Sequence, residues 1–198
     1  MDIDSGRSQQ KYRTRRALLA AAKSLADQKQ PVTIQAAADA AQISRATAYR
    51  YFTSSEYLMR EALLDAEWST PEAVVGGATD VRERVRRVQA YLYDFTFRNE
   101  TAHRLFVAKA LEASVQSADS AKPALRGARR LPMYALALEP LKGTLSDADI
   151  EHLGLRLSAA SGVEAFIALK DVCGLDDRTA RAISESNILA ILDSAIRP

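Results

Sequence analysis

The residues with the most recognisable chemistry lie close together near the N-terminus, in the segment 33–52. This segment reads TIQAAADAAQISRATAYRYF, which predicts a short helix from about Ile34 to Ala41, a turn at 42–44 and a second helix from Arg45. A second helix after such a turn can lie in the major groove, where Arg pairs with guanine and Thr or Ala contacts a thymine methyl group. The segment therefore predicts a helix-turn-helix that binds double-stranded DNA. The expected base or phosphate contacts are Arg45, Ala46, Thr47, Tyr49 and Arg50.

A positively charged stretch surrounds this segment. Between Arg7 and Arg60 there are ten Lys or Arg residues and three Asp or Glu residues, a net charge of +7, whereas 17 basic and 18 acidic residues follow from Glu67 onward. This asymmetry indicates that the first region alone binds a polyanion, although a solvated basic face would give the same count of charges. The start of the first predicted helix is basic, with Lys11, Arg13, Arg15 and Arg16. Of these, Lys11 and Arg13 are our candidates for phosphate contact.

Helical patterns extend over the whole chain, and no strand-like alternation of useful length interrupts them. Thr33, Ser44 and Ser54 are each suited to cap the helix that follows. The predicted helical segments are 12–28, 34–41, 45–52, 55–68, 80–98, 100–116, a less regular stretch 122–141, and two long segments 147–173 and 176–196. We therefore predict an all-α fold of about nine helices.

Pro71 and the Gly76-Gly77 pair interrupt the helical pattern between residues 69 and 79, which indicates a linker or a broken helix. We place the domain boundary there. The predicted domains are a DNA-binding domain at 10–66 and a larger helical domain at 80–198.

Residues 12–66 resemble the DNA-binding domain of the TetR (tetracycline-repressor) family of bacterial transcription regulators. The matching features are Thr33-Ile34, Ala37-Ala38, Ile43-Ser44, Thr47-x-Tyr49-x-Tyr51-Phe52 and Ser54-x-Glu56-x-Leu58. The resemblance implies a three-helix DNA-binding head, a larger domain for ligand binding and dimerisation, and release of DNA when a small molecule binds. It also adds Thr33, Tyr51 and Ser55 to the residues expected at the DNA.

Two positions depart from the family pattern. The family usually has Gly in the turn where Gln42 stands, and Gly tolerates a positive φ without cost. Gln42 is therefore expected to carry modest strain or to change the turn slightly. Ser55 stands where the family commonly has a Lys that contacts phosphate. The chain is expected either to lose that contact or to replace it with the Ser55 hydroxyl.

Aromatic residues beyond the head predict a small-molecule site in the second domain. Tyr91 and Phe95 are i, i+4 neighbours on one helix face, and a mostly apolar cavity with a few polar groups suits a small ligand. The candidate ligand-binding residues are Trp68, Tyr91, Phe95, His103, Phe106 and Tyr134, with Arg104 as a further polar candidate. The low net charge of this region favours an apolar or aromatic molecule. The same aromatic residues would equally fill a hydrophobic core.

The last two predicted helices carry apolar stripes, and small residues at 159–162 would let another helix approach closely. In the TetR family the corresponding pair forms a four-helix bundle with its symmetry mate, so the resemblance implies a homodimer. The candidate interface residues are Val163, Phe166, Ile188, Leu189 and Leu192. Ordinary core packing would produce the same stripes.

Catalytic and metal chemistry find little support in the sequence. His103 and His152 lack metal-like spacing, and there is no Gly-rich phosphate loop, no Gly-x-Ser-x-Gly motif and no recognisable cluster of titratable groups. We therefore expect no enzymatic activity, no catalytic residues, no metal and no cofactor. The single cysteine, Cys173, is expected to be a buried thiol at a helix end rather than a redox sensor.

No apolar run approaches the ~20 residues that a membrane span needs, and the first residues lack the apolar region of a secretory signal. We therefore expect a cytoplasmic protein without membrane association. The expected function is a dimeric, ligand-responsive transcription regulator, a repressor if it follows most of the family, that binds a double-stranded DNA operator and a small-molecule effector. Two alternatives stay open: a constitutive DNA-binding dimer without an effector, and an all-α enzyme.

Overall fold

The computed structural model describes residues 3–66, 68–116 and 129–196, and within these residues the secondary structure is helical, without a β-strand. The predicted all-α class is therefore confirmed. The described part of the chain forms eleven α-helices, where about nine were predicted. They are α1 (Ile3–Asp27), α2 (Ile34–Ala40), α3 (Arg45–Tyr51), α4 (Ser55–Ala66), α5 (Pro71–Val75), α6 (Val81–Arg98), α7 (Glu100–Gln116), α8 (Arg130–Ala137), α9 (Asp147–Ala159), α10 (Val163–Ile167) and α11 (Asp177–Ile196).

The two additional helices arise at Pro and Gly residues. The linker predicted at 69–79 contains α5, which begins at Pro71 because the first turn of a helix does not need the missing N–H. The predicted helix 147–173 is not continuous, because Gly162 adopts a φ of 80° and separates α9 from α10. A π-helical turn, Ala168–Val172, then follows α10, and a 3-10 turn, Glu139–Leu141, follows α8. Part of the predicted stretch 122–141 lies outside the described residues.

The chain divides into two compact units. The first comprises Met1–Trp68 and Leu105–Gly127, and the second comprises Ser69–Arg104 and Ala128–Pro198. The first break falls at the start of the predicted linker, but the predicted domain 80–198 does not coincide with one unit. Leu105–Gly127 belongs to the first unit because Ala110 is buried in the core of that unit, and because Phe106 stacks on Tyr57 with a centroid distance of 5.2 Å.

Leucine, alanine and aromatic side chains form the core of the first unit. Several of these residues are alanines, whose small side chains let short helices approach one another closely. The buried residues of this core are Leu18, Leu19, Ala22, Ile34, Ala37, Ala38, Ala48, Phe52, Tyr57, Leu58, Ala62 and Ala110. Helix α1 packs against α2 and α4, and α2 packs against α3, so these four helices pack together in the first unit.

An ion pair between Arg15 and Glu61 is enclosed in this core. Arg15 is 4% exposed and Glu61 1%, and Nε of Arg15 donates to Oε1 of Glu61 at 2.8 Å while Nη2 donates to the other carboxylate oxygen. The guanidinium also lies 4.8 Å from the ring centroid of Phe52. Burial acts to lower the pKa of Arg15, but the charge and hydrogen bonds of Glu61 outweigh it, so the pKa is raised. The pair therefore ties α1 to α4 with a charged Arg15.

The second unit is arranged around α6, which packs against α5, α8, α10 and α11. Polar side chains link three of these helices inside the core. Gln89 of α6 donates to Oγ of Ser184 in α11 at 2.6 Å, and the hydroxyl of Tyr134 in α8 donates to Oε1 of Gln89 at 3.2 Å. All three residues are less than 5% exposed, so their hydrogen bonds satisfy groups that water cannot reach.

Candidate nucleic-acid interface

Two side-chain caps determine where the helices of the helix-turn-helix begin. Oγ1 of Thr33 accepts from the backbone N–H of Ala36 at 3.0 Å, and Oγ of Ser44 accepts from that of Thr47 at 3.2 Å. Both cap residues have extended backbone, as N-cap residues usually do. Helices α2 and α3 therefore begin where the sequence predicts, and the caps predicted at Thr33 and Ser44 are confirmed.

The turn between α2 and α3 contains a left-handed residue. Gln42 has a φ of 56°, the conformation that the Gly of the family pattern would adopt most easily. The turn is closed by backbone hydrogen bonds, from Ile43 N to Ala38 O at 2.9 Å and from Gln42 N to Asp39 O at 3.2 Å. The expectation of strain at Gln42 is therefore supported, since a side chain in this region costs about 1–2 kcal/mol.

Replacing Gln42 by Gly is expected to raise the free energy of unfolding by about 1 kcal/mol, because Gly adopts the left-handed backbone without a steric cost. The greater conformational entropy of Gly in the unfolded chain cancels part of this gain. Urea denaturation followed by circular dichroism measures this change. Gln42→Ala is the matched control, since it removes the same polar group but keeps a Cβ. Equal stabilisation by both substitutions would show that the side chain, not the backbone, is the source of the strain.

The outward face of α3 carries four of the ten residues predicted to contact DNA. Arg45, Ala46 and Arg50 are exposed, and the side chain of Tyr49 is 55% exposed. The helix contains no acidic residue. Thr47 is half-buried and its hydroxyl accepts from Oγ of Ser44 at 2.8 Å, while the half-buried Tyr51 packs against the core of the first unit. The face available to a ligand therefore consists of two arginines, one tyrosine and one alanine.

Arg45 is held by an acidic residue of the preceding helix. Its Nη2 lies 3.2 Å from Oδ2 of Asp39, and its Nε lies 3.5 Å from Oδ1 of the same carboxylate. Both side chains are 56% exposed, so this is a surface pair that water screens. Asp39 was not among the residues predicted to contact DNA. The available signal was its place in the last turn of α2, six residues before Arg45, where the turn brings the two helix ends together.

Ser55, Lys11 and Arg13 complete the predicted DNA-contacting set. Oγ of Ser55 accepts from the backbone N–H of Ile34 at 3.2 Å, so this hydroxyl joins the start of α4 to the start of α2. Its hydrogen can still be donated to another acceptor. Lys11 and Arg13 are exposed on α1. Arg15, from the same basic stretch, is enclosed by the ion pair with Glu61 and does not reach the surface.

The six candidate ligand residues belong to different units. Trp68 and Phe106 lie in the first unit, where Phe106 stacks on Tyr57. The other four lie in the second unit. There Phe95 contacts Tyr91 with a centroid distance of 5.9 Å and His103 at 5.2 Å, so these three rings form one cluster.

Three of the four candidate ligand residues in the second unit are buried. Phe95 is 1% exposed, His103 9% and Tyr134 not at all, and burial lowers the pKa of His103 and raises that of Tyr134. The hydroxyl of the half-buried Tyr91 accepts from the backbone N–H of Ser69 at 2.7 Å. Arg104 is bound by Asp171 and Glu100, with three N–O distances of 2.7 Å. In this structure these residues therefore fill the unit and bind one another.

Four of the five predicted interface residues are enclosed within the second unit. Val163 is 8% exposed and Phe166 2%, and Ile188 and Leu192 are fully buried. Only Leu189 reaches the surface, where it lines a groove of about 490 Å³ along α11. The other lining residues, none of which was predicted from the sequence, are Arg82, Ala182, Glu185, Ser186, Ala190 and Asp193.

The part of the chain that the structure describes contains no group of three or more His, Cys, Asp or Glu residues able to hold a metal ion. Cys173, expected to be buried, is exposed, because it follows the π-helical turn at the surface rather than ending a packed helix. Within the described ranges, no helix combines the length and the apolar character required to cross a membrane.

Comparisons of the chain with protein-family models, with curated proteins and with solved structures found no match.

Proposed function

We propose that this chain is a DNA-binding transcription regulator whose recognition element is α3. The observation that carries the proposal is the outward face of α3, which presents Arg45, Tyr49 and Arg50 from a short, capped helix without an acidic residue. Arg is the commonest reader of guanine in the major groove, and Tyr and Arg both bind phosphate oxygens. The inner face of α3 packs against the core of the first unit, so the helix can enter the groove as a rigid element.

The surrounding residues suit the phosphate backbone. Lys11 and Arg13 are exposed on α1 and supply charge that attracts phosphates without reading sequence. The Ser55 hydroxyl has one hydrogen to donate while its oxygen accepts from Ile34. In this arrangement α3 provides specificity and the basic residues of α1 provide affinity.

Binding to a duplex from the region upstream of its own gene is expected to weaken at least about tenfold between about 50 and 200 mM salt, because bound phosphates release counterions. Arg45→Ala should reduce the free energy of DNA binding by about 1–3 kcal/mol and weaken the preference for one base at a single position of the site. Lys11→Ala or Arg13→Ala should weaken binding to DNA of every sequence by the same factor, and should make the affinity less dependent on salt. Fluorescence anisotropy of a labelled duplex measures these effects.

The matched control for the charge substitutions is Lys142→Ala, which removes one exposed positive charge from the second unit. It should leave DNA binding unchanged. Loss of binding equal to that of Lys11→Ala would mean that only net charge matters. Absence of salt-sensitive binding in the unaltered protein would refute the proposal.

We further propose that the second unit binds an apolar or aromatic molecule between its own helices, at the aromatic residues of α6 and the start of α7. The cluster of Tyr91, Phe95 and His103 provides aromatic surface with one polar ring, and burial keeps that ring neutral at neutral pH. Because Phe95 and His103 are buried, entry of a ligand requires the helices to separate. We also propose that the chain forms a homodimer through α11. The movement would then favour a dimer whose recognition helices no longer match successive major grooves, which lie about 34 Å apart.

A molecule that acts in this way is expected to lower operator affinity by roughly 5- to 150-fold, which corresponds to a coupling of about 1–3 kcal/mol. Operator DNA must then weaken binding of the molecule by the same factor, because coupling between two sites is reciprocal. Calorimetric titration of a hit from a thermal-shift screen, with and without operator, tests this equality. A hit whose affinity is identical in both titrations is not the effector.

A further inference from the structure

The side chain of Asp39 lies against the guanidinium of Arg45 at the junction of α2 and α3. We propose that Asp39 determines base specificity by holding Arg45 in the orientation that pairs with guanine. This inference rests on the proposed DNA binding through α3 and adds a positioning residue to it. The geometry of the pair, the remaining donors of Arg45 and the charge of Asp39 each support it.

The carboxylate occupies only one edge of the guanidinium. Nε and Nη2 of Arg45 face the two oxygens of Asp39, at 3.5 and 3.2 Å. A guanidinium has five N–H donors, so both hydrogens of Nη1 and one hydrogen of Nη2 remain. These are the hydrogens at the outer end of the side chain, and they match the O6 and N7 acceptors of guanine. Asp39 therefore fixes the plane of Arg45 and does not itself occupy the base-reading end.

Gln35 of α2 lies at that outer end. With its amide turned so that the oxygen faces Arg45, Gln35 accepts from Nη1 at 3.1 Å and from Nη2 at 2.7 Å. A guanine edge offers neutral acceptors to the same hydrogens. The base can thus replace the neutral Gln35 while the charge-assisted contact with Asp39 persists.

The charge of Asp39 favours specificity over affinity. Asp39 is the single acidic residue between Val32 and Phe52, in the segment that would lie closest to the phosphates. A carboxylate there repels DNA of every sequence, and it reduces the freedom of Arg45 to bind phosphate instead of a base. Its removal should therefore strengthen binding to arbitrary DNA and weaken the discrimination at one base pair.

Selection of sequences from a random duplex library, followed by affinity measurements on the selected site, tests the inference. The unaltered protein should prefer guanine at the position that Arg45→Ala relaxes, by on the order of ten- to a hundredfold over other bases. Asp39→Asn should reduce this preference to less than about threefold and raise the affinity for unselected DNA. Arg45→Lys should also lose the preference, because Lys lacks the planar pair of donors.

Asp27→Asn is the matched control. Asp27 is an exposed acid of the first unit that pairs with Lys23 through an Nζ–Oδ1 distance of 2.5 Å, so its substitution changes the net charge equally without touching Arg45. It should keep the guanine preference. Retention of that preference by Asp39→Asn, or an equal loss in Asp27→Asn, would overturn the inference. Failure of the unaltered protein to select any sequence would refute the proposed DNA binding and this inference with it.

Discussion

Replacing Arg15 by Ala is expected to lower the free energy of unfolding of the first unit by about 3–5 kcal/mol. The substitution removes the buried arginine partner of Glu61, which is 1% exposed, and it also removes the guanidinium from the ring of Phe52. Urea denaturation followed by tryptophan fluorescence measures the loss, because Trp68 is the only tryptophan of the chain and belongs to the first unit. Since a small domain is stable by about 5–15 kcal/mol, such a loss would leave the helix-turn-helix marginally folded.

Two further variants separate the buried pair from a general effect of charge. Arg60→Ala breaks the Arg60–Glu56 pair on the surface of α4 and should cost well under about 1 kcal/mol, because water screens exposed pairs. Arg15→Met combined with Glu61→Leu removes both buried charges and should recover most of the stability that Arg15→Ala loses. A cost of Arg15→Ala no larger than that of Arg60→Ala would show that the ion pair is not enclosed as described.

Leu189→Arg is expected to convert the proposed dimer into monomers. Leu189 lines the groove along α11 together with Ala182, Ser186 and Ala190, whose i, i+4, i+8 spacing gives that face of the helix a shallow surface that a second helix can approach. An arginine there would place a long charged side chain in the interface, and a penalty of several kcal/mol for removing it from water raises the dissociation constant at least about a hundredfold. Sedimentation velocity at micromolar concentration distinguishes the two species.

Asn187→Arg provides the matched control on the same helix. Asn187 is exposed but does not line the groove, so a charge at this position should leave the dimer intact. Dimers of Leu189→Arg as stable as those of the unaltered chain would place the interface elsewhere. If the unaltered chain itself sediments as a monomer, the dimer proposal fails, whereas the proposed contact of α3 with DNA is tested separately by the anisotropy measurements.

Local features of this protein were predictable from the sequence because they depend on residues close together in the chain. Thr33 and Ser44 cap helices through hydrogen bonds that span three residues, and the composition of 33–52 places α2 and α3 correctly. The left-handed turn residue was predictable in the same way, since Gln42 replaces a glycine at a defined position of a motif. The all-helical class followed from apolar spacing alone. These properties require no knowledge of what each helix packs against.

Only the tertiary structure decided which charged and apolar side chains are enclosed. Arg15 belongs to a basic stretch, yet it is buried because Glu61, 46 residues later, lies beside it. Asp39 contacts Arg45 because the turn brings two helix ends together. Ile188 and Leu192 form an apolar stripe that the same chain covers, which leaves Leu189 at the surface. An apolar stripe requires that some surface cover it, but helical spacing carries no information about whether that surface comes from the same chain or from another copy.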